Sequence, residues 1–394
     1  MKVLLIHNFY QYWGGEDSYV TSLRKLLVEK GHEVYLYSKD SKKIKTFWDK
    51  LRTAIGLFYN PWVEKELAKI IEEFKPEVVH FHNVYPLIGA TAYWVCKKYN
   101  IPIVQHIHNY RFMCPKGILF RNNKICELCL HKKFPFYSIL FGCYHRSYLA
   151  SFFFSLAFYY HNLIKTFDLI DKFIFPSEFT RDYYLKHLKI NKEKTVFLPY
   201  FVDVKRRDLK EKLKKEDYFL FVGRLSEEKG IIQLLEVFKT LPKIKLVVIG
   251  DGPLRQEVAY YKKYPNIEIL GFLKREKIYD YMRRSKAVII PSIWYEVLPI
   301  VYIEAILNNA RSVVFQSENF KRINKNLKLL NCKMHDFTDL RKIIISINKN
   351  NGKNTLNNEK KTLIVNQLNY SKRNHLDNII KQYKLLRLIF SPNS

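Results

Sequence analysis

The sequence predicts two α/β domains in succession, each a parallel sheet doubly wound by helices on both faces. Three observations indicate this. The 394-residue length exceeds what one hydrophobic core usually serves, short β-branched runs alternate with amphipathic ones, and the alternation starts again after a charged linker. Apolar residues make up 48% of the chain, which is enough for two cores and argues against disorder.

The first domain, assigned to residues 1–203, is predicted to alternate strands and helices. The run PWVEKELAKIIEEF illustrates the helical pattern, because it opens with proline and places apolar residues at helical spacing. Such alternation is typical of a parallel sheet with helices on both faces. The strand candidates are KVLLIH, EVYLYS, VVHFHN, PIVQHIH, KFIFPS and TVFLPY, and residues 110–146 form a cysteine-containing insert.

The second domain, assigned to residues 204–370, begins with the polar linker DVKRRDLKEKLKKED. Its strand candidates are YFLFVG, IKLVVIG, IEILGF, AVIIPS and RSVVF. Two doubly wound units predict a cleft between them, faced by the carboxyl ends of the strands, where such sheets bind ligands. The run NKNNGKNTLNNEKK is typical of a solvated loop. Residues 371–394 contain HLDNIIKQYKLLRLIF, which predicts a terminal amphipathic helix that packs back on the first domain.

The net charge is +30 and is spread along the chain, with 29 Lys and Arg against 17 Asp and Glu in residues 1–200. This excess suits an anionic partner, namely nucleic acid, an anionic membrane surface or a phosphorylated small molecule. Compositional drift toward Lys and Asn explains it equally well. Because the chain lacks a recognised nucleic-acid-binding module, we expect no nucleic-acid partner.

We expect a cytoplasmic protein that can lie peripherally at the inner face of the cell membrane. The run MKVLLIHNFY is too short in its apolar part for a signal peptide, and no run of 18 apolar residues predicts a transmembrane helix. The most apolar segment, YLASFFFSLAFYYHNLI, is compatible with a membrane-surface helix, although a buried or groove-lining helix is favoured.

Features suited to phosphate binding follow the predicted strands. FVGRLSEEKGI places Gly223 at a strand end and then Arg224 and Lys229 before a helix, where two cations and free helix amides suit a diphosphate. An ordinary turn with solvated charges is the alternative. Gly252 in VVIGDGPL and Gly15 in YQYWGGEDSY mark loops where backbone can approach a ligand. The chain has neither GxGxxG nor GxxxxGKS/T, which disfavours dinucleotide and P-loop sites.

The run PSIWYEVLPIVYIEAILNNA holds two carboxylates, Glu296 and Glu304, among apolar residues. A buried carboxylate is costly unless it has a partner, so two of them are unexpected in a plain core segment. We expect both to serve binding, and solvated acids on a surface helix are the alternative.

These motifs, in this order, resemble the retaining family 4 glycosyltransferases of the GT-B fold. GGE, GHEV, FVGRLSEEKG, GDGPL and Glu296-x7-Glu304 carry the resemblance over essentially the whole chain. It implies two Rossmann-like domains, the first on the acceptor side and the second binding a nucleotide sugar. It also implies that catalysis needs no metal cofactor, because Arg224 and Lys229 would neutralise the leaving diphosphate.

By this resemblance, Glu304 hydrogen-bonds the ribose hydroxyls of the donor and Glu296 orients the donor sugar. A histidine after the fourth strand faces the reaction centre in the family, and His108 matches best, with a core histidine as the alternative. His80 and His82 are expected to point to opposite faces of their strand. The other donor-binding positions are Gly15, Gly223, Gly252, Val297 and Leu298.

Three departures from the family pattern bear on activity. Val297-Leu298-Pro299 follows the first glutamate, where a proline, an aromatic residue and a glycine are usual. Asn309 and Arg311 stand where a glycine and a proline are usual, and asparagine can adopt the left-handed conformation of glycine. The run QSENFKRINKNLK replaces the Gly-Gly loop that normally follows VVF. This change affects the donor-side loop and leaves room for weakened activity.

Four of the six cysteines fall within the insert. One Cys-x2-Cys pair has metal-ligand spacing but the other two cysteines are single, so a structural zinc site and free thiols both stay open. The four are Cys114, Cys126, Cys129 and Cys143. Cys96 and Cys332 look like ordinary small apolar residues.

We therefore expect a hexosyltransferase that moves a sugar, with retention, from a nucleoside diphosphate sugar to a saccharide acceptor. A lipid-linked acceptor in cell-surface polysaccharide assembly fits the basic, aromatic first half. The expected catalytic residues are Glu296, His108, Arg224 and Lys229. The alternatives are a GT-B-like binding protein without turnover, a nucleic-acid binder, and an enzyme that uses a phosphorylated sugar as donor.

Overall fold

The computed structural model describes residues 1–202, 215–323, 330–349 and 372–390, which form two compact units. The first unit holds residues 1–121, 126–199 and 373–390, and the second holds residues 122–125 and the described part of 200–372. The predicted linker and the predicted loop NKNNGKNTLNNEKK lie almost wholly outside the described residues.

The first unit contains a six-stranded sheet that is parallel throughout. The strands up to residue 199 are β1 (Lys2–Phe9), β2 (Glu33–Asp40), β3 (Val78–Phe81), β4 (Ile103–His106), β5 (Phe120–Arg121), β6 (Lys124–Ile125), β7 (Lys172–Phe175) and β8 (Thr195–Phe197). The sheet order is β2-β1-β3-β4-β7-β8, while β5 and β6 form a separate hairpin. Residues 3–6 of β1 are fully buried, as expected for a central strand covered on both faces.

Helices connect these strands. They are α1 (Gly15–Glu29), α2 (Phe47–Gly56), α3 (Pro61–Phe74), α4 (Thr91–Lys98), α5 (Phe136–Leu140), α6 (Tyr148–Leu163) and α7 (Glu178–His187). The burial favoured for α6 applies to one of its faces only. Its polar residues Ser151, Ser155 and His161 are buried, whereas Tyr148 and Leu149 are 69% and 68% exposed. The His161 ring contacts the Leu57 carbonyl oxygen through Nε2 at 2.8 Å, so polar bonds hold the inner face of α6.

The second unit repeats the plan with another parallel six-stranded sheet. Its strands are β9 (Tyr218–Val222), β10 (Lys245–Ile249), β11 (Ile267–Gly271), β12 (Ala287–Ile290), β13 (Ser312–Phe315) and β14 (Leu330–Cys332). Its helices are α8 (Ile231–Lys239), α9 (Arg255–Ala259), α10 (Arg275–Arg284), α11 (Ile300–Leu307), α12 (Glu318–Ile323) and α13 (Phe337–Lys349). The order β11-β10-β9-β12-β13-β14 is that of a Rossmann sheet, in which the connection reverses direction between β9 and β12.

The last described helix, α14 (Lys372–Phe390), belongs to the first unit from Arg373 onward. Its buried His375 and Tyr383 contact Tyr19 of α1 and His80 of β3 at 2.7 and 2.6 Å. Among the described helices, none has the length and apolar character needed to cross a bilayer. The predicted class, two doubly wound parallel-sheet α/β units, is confirmed.

Candidate active site

The loop after β9 holds two predicted cations in an ordered network. Arg224 donates to Glu228 Oε1 at 2.5 Å, and Ser226 donates to the same oxygen at 2.6 Å. Burial raises the pKa of Glu228, but the charge of Arg224 and the hydrogen bond from Ser226 outweigh burial and bring it to about 2. Glu228 therefore stays charged and orients Arg224. Sequence reasoning missed this role, although Glu228 stands inside the quoted motif.

The loop after β12 supplies the acid of this network. Glu296 is only 5% exposed, and its Oε1 accepts from Lys229 Nζ at 2.5 Å and from Ser292 Oγ at 2.7 Å. The Lys229 ammonium also lies 5.3 Å from the centre of the Trp294 ring. The predicted residues Lys229 and Glu296, 67 positions apart in the chain, are thus in direct contact.

Glycines allow the loops to approach this closely. Gly230 has φ +67°, and a Cβ there would stand 2.2 Å from the Pro291 carbonyl oxygen. A Cβ on Gly252 would stand 2.4 Å from the Leu225 carbonyl oxygen, and one on Gly250 would stand 1.8 Å from that of Gly223. Gly223 and Gly252, predicted to bind the donor, therefore serve loop packing, and direct donor contact stays a prediction. Because the loops after β9 and β12 flank the reversal of strand order, their network lies where such sheets bind ligands.

Glu304, on α11, is 4% exposed and has partners from α10. Arg275 Nε donates to its Oε1 at 2.8 Å, and the Tyr279 hydroxyl donates to the same oxygen at 3.3 Å. Burial raises the pKa of Glu304, while the charge and hydrogen bond of Arg275 partly oppose that rise. Sequence reasoning missed Arg275, although it begins the helix after β11, in the same strand-end pattern as Arg224.

The departure after β13 supports the Glu296 loop. Asn319, in QSENF, is 1% exposed, and its Nδ2 donates to the carbonyl oxygens of Glu296 and Val297 at 2.6 and 2.9 Å. Val297 and Leu298 are buried, at 3% and 6% exposure. Asn309 has φ +57°, so its predicted left-handed conformation is confirmed. The altered loop thus anchors the backbone of the segment that contains Val297 and Leu298, two residues predicted to bind the donor.

Six of the twelve histidines gather in the first unit, on and beside β1, β3, β4 and α14: His7, His80, His82, His106, His108 and His375. The prediction that His80 and His82 point to opposite faces was wrong, because residues two apart on a strand share a face. Their ring centroids lie 4.4 Å apart. The predicted site residue His108 belongs to this cluster, because its Nε2 lies 2.9 Å from Nδ1 of His82.

Three of these histidines could offer ligands to a metal, since one ring nitrogen each of His80, His82 and His106 lies within 4.8 Å of the other two. His106 stacks on the rings of His80 and His82, with interplanar angles of 13° and 21°, while the rings of His80 and His82 are tilted by 31°. Burial lowers the pKa of each ring, to about 3 for His80. The trio is therefore a neutral, packed array at pH 7.

A third missed residue, Glu16, lies at the switch point of the first sheet, between β1 and β3. It lines a small cavity with His82, Asn83, His108, Asn109 and Arg111. Its Oε2 accepts from the Tyr10 hydroxyl at 2.8 Å, while its buried Oε1 has no partner among the described residues. Burial raises the pKa of Glu16 to about 8. Its place in the GGE motif was the signal that could have identified it.

Glu16→Gln should change how stability depends on pH. The folded pKa of Glu16, about 8, exceeds the ordinary 4.5, so folding stabilises the protonated form. That contribution is fully present below pH 4.5 and is lost as pH rises through 8. As pH rises from 4.5 to 8, the melting temperature of the variant should therefore increase relative to that of the wild type. Thermal unfolding from pH 4 to 9 measures this difference, and the exposed Glu29→Gln is the control. Parallel plots of melting temperature against pH for the wild type and Glu16→Gln would contradict the prediction.

The predicted residues fall in two separate units. Gly15 begins α1 and His108 follows β4 in the first unit, as do Cys114, Cys126, Cys129 and Cys143. Gly15 is exposed, and Gly14 before it caps the helix by donating its N–H to Asp17 at 2.8 Å. The other predicted site residues lie in the second unit: Gly223, Arg224, Lys229, Gly252, Glu296, Val297, Leu298 and Glu304.

Two families match consecutive parts of the chain. "Glycosyltransferase Family 4" matches residues 13–206, and "Glycosyl transferases group 1" matches residues 204–361. An alpha-monoglucosyldiacylglycerol synthase of Streptococcus pneumoniae is 23% identical over 297 residues, which cover 68% of this chain and 58% of that protein. A Campylobacter jejuni α-1,4-N-acetyl-D-galactosaminyltransferase, whose name specifies an undecaprenol-PP-linked saccharide, is 36% identical over 98 residues, covering 23% of this chain and 27% of that protein.

Solved structures share the fold. Anabaena Alr3699/HepE in complex with UDP-glucose superposes with a TM-score of 0.65 over 98% of this chain and 99% of that chain, at 14% identity. At this identity the likeness shows the fold alone. With two families matched in order from residue 13 to residue 361, and two Rossmann-like sheets to match, the chain belongs to the group 1, family 4 glycosyltransferases of the GT-B fold.

Proposed function

We propose that the protein is a retaining glycosyltransferase that moves a sugar from a nucleoside diphosphate sugar to a lipid-linked saccharide in cell-surface polysaccharide assembly. The network of Arg224, Glu228, Lys229 and Glu296 carries this proposal, because it places two oriented cations beside a buried acid at a sheet switch point. Retention rests on membership of the family. The Anabaena structure contains UDP-glucose, which supports a uridine nucleotide as donor.

In this proposal the cations stabilise the charge that grows on the leaving diphosphate, so they assist the rate as well as binding. Lys229 contacts Glu296 in the described structure, and a diphosphate would compete for its ammonium. That competition would release the Glu296 carboxylate toward the hydroxyls of the donor sugar. Glu304, held by Arg275, would accept hydrogen bonds from the ribose. The reaction then needs no metal ion, since the side chains supply the positive charge.

The altered loop QSENF, which replaces the usual Gly-Gly loop, is the reason for considering a binding protein without turnover. Asn319 weakens that motive, because its amide anchors the carbonyl groups of the Glu296 loop and so replaces one task of the usual loop. Transfer or hydrolysis of a sugar nucleotide by the wild type, reduced at limiting donor in Glu304→Ala, would exclude the binding protein.

A nucleotide screen tests the donor class. Uridine or guanosine diphosphate, or a sugar conjugate of either, should raise the melting temperature at saturating concentration, because a ligand at 100 times its Kd stabilises the native state by about 2.7 kcal/mol. The matched nucleoside monophosphate, which lacks the second phosphate, should give a smaller shift. If no diphosphate stabilises the protein and no labelled sugar is transferred, the proposed function is wrong.

Exposed apolar residues on three neighbouring helices support the lipid-linked acceptor. Leu149, Phe152, Tyr160 and Leu163 are exposed at helical spacing along α6, which packs against α2 and α5. The exposed apolar residues of α2 and α5 are Phe47, Trp48, Leu51, Ile55, Phe136 and Leu140. Exposed basic residues accompany them: Lys42, Lys43, Lys45, Lys50, Arg52, Lys132 and Lys133. Aromatic residues flanked by cations suit the headgroup region of an anionic bilayer, so we propose peripheral membrane contact here.

Replacing part of this surface should weaken membrane binding. We expect Trp48→Ser with Phe152→Ser to lower the fraction bound to anionic phosphatidylglycerol vesicles at least 10-fold, because both side chains lose apolar burial in the bilayer. Neutral phosphatidylcholine vesicles should bind the wild type weakly. The matched control is Tyr260→Ser with Phe272→Ser, two aromatics of the second unit that are 63% and 60% exposed. Equal losses in both double variants would contradict the assignment of this surface.

A further inference from the structure

A small cavity in the first unit is lined by four of the six cysteines. Its volume is about 20 Å³, which is room for one water-sized sphere or a single ion. The four are Cys114, Cys126, Cys129 and Cys143. They come from three places separated by up to 29 positions in the sequence, and none forms a disulfide. Sequence spacing alone leaves a zinc site and free thiols equally open, whereas a cavity shared by all four cysteines favours the zinc site.

Tight backbone turns carry these thiols to the cavity. Gly117 N donates to the Cys114 carbonyl oxygen at 2.8 Å, closing a turn before β5. Cys126 directly follows β6, and its N–H donates to Leu119 O at 2.8 Å. Cys143 follows α5 and donates to Ser138 O at 2.9 Å. A hairpin followed at once by Cys-x2-Cys, with one cysteine before it and one after, brings all four cysteines to the wall of one cavity.

The charged residues of the cavity wall suit a divalent ion held by four thiolates. A divalent metal binds thiolates and displaces their protons. Lys116 and Arg121 also line the cavity. Their two positive charges would balance the net −2 of a divalent ion with four thiolates.

We propose that Cys114, Cys126, Cys129 and Cys143 bind one zinc ion as a structural site. Zinc prefers four tetrahedral sulfur ligands at about 2.3 Å, which sets the sulfur–sulfur distance at about 3.8 Å. The sulfurs lie farther apart than this around the cavity, so binding of the ion would draw them together. The bound ion would hold a segment whose regular structure is only the two-residue strands β5 and β6 and the five-residue α5.

Metal analysis of the purified full chain, expressed without a polyhistidine tag, tests the proposal. We expect elemental mass spectrometry to find about one zinc ion per chain in the wild type. The zinc content should fall below about 0.2 per chain in the double variant Cys126→Ser with Cys129→Ser. The matched control is Cys96→Ser with Cys332→Ser, which changes the two cysteines outside the cavity and should keep the zinc. Wild type without zinc, or with iron and visible absorption in its place, would overturn the proposal.

A measurement on the wild type covers the case in which the double variant does not fold. Titration with a mercurial reagent in the presence of a chromophoric zinc indicator should release the zinc in step with reaction of about four thiols. Release by a chelator should in turn increase the number of thiols that react rapidly. Zinc that survives complete thiol modification would lie at another site, such as the histidine trio, and would refute binding by the cysteines. Neither measurement depends on sugar transfer.

Discussion

Lys229→Met should lower kcat/KM for sugar transfer by about 100-fold to 1,000-fold, the loss typical when one group that stabilises transition-state charge is removed. In the proposed reaction, the Lys229 ammonium contacts the diphosphate as it leaves. Exposed Lys239→Met is the matched control, because Lys239 lies in the same unit and pairs with Glu236 on its own helix. The rate should be measured at saturating and limiting donor, so that kcat and KM are separated.

Stability must be separated from catalysis in this variant. Lys229→Met leaves the Glu296 carboxylate, 6% exposed, with Ser292 as its remaining described side-chain partner. We expect a loss of about 2–3 kcal/mol in the free energy of unfolding, somewhat less than for a fully buried pair since Lys229 is 23% exposed. Adding Glu296→Gln should restore stability because the buried charge is gone. If transfer also recovered in the double variant, neither Lys229 nor Glu296 would have a catalytic role.

Glu304→Ala should weaken donor binding about 10-fold to 100-fold while changing kcat less, because ribose contacts are equally strong in the bound donor and in the transition state. The probe is uridine diphosphate, with Kd measured by calorimetry. A fall in kcat at unchanged Kd would place Glu304 in the chemical step and contradict a ribose-binding role.

Arg275 gives a companion test through pH. Burial already raises the pKa of Glu304 and Arg275 opposes that rise, so Arg275→Ala should raise it further. Protonation removes an acceptor for the ribose hydroxyls. The affinity of the variant for uridine diphosphate should therefore increase with rising pH more steeply than that of the wild type, and equal slopes would contradict the coupling. The control is Arg284→Ala, whose partner is the exposed Glu216.

Much of the candidate site follows from sequence because its residues stand at strand ends. Arg224, Lys229 and Glu296 each follow a predicted strand, and carboxyl ends of parallel strands meet at one edge of a sheet. Local sequence could not identify their partners. Glu228 is one of two adjacent acids in the motif, and only the fold shows that it is the buried one, with Arg224 and Ser226 bound to it.

Asn319 shows the same limit from the other side. As a departure from the family pattern it indicated weakened activity, whereas the structure places its amide on two carbonyl groups of the Glu296 loop, 22 and 23 positions away. The effect of a substituted loop residue on activity cannot be judged until the groups that it contacts are known. The error at His80 and His82 was of another kind, since strand periodicity alone places residues two apart on one face.

The sequence by itself determined the two doubly wound domains and the residues at their strand ends, because hydrophobic periodicity and strand–helix alternation are local properties of the chain. Tertiary structure alone decided which side chains meet: Lys229 with Glu296, Glu304 with Arg275, six histidines beside one sheet, and four thiols around one cavity. These contacts join segments that lie far apart in sequence. Their distances depend on how loops and helices pack, so neither composition nor spacing encodes them directly.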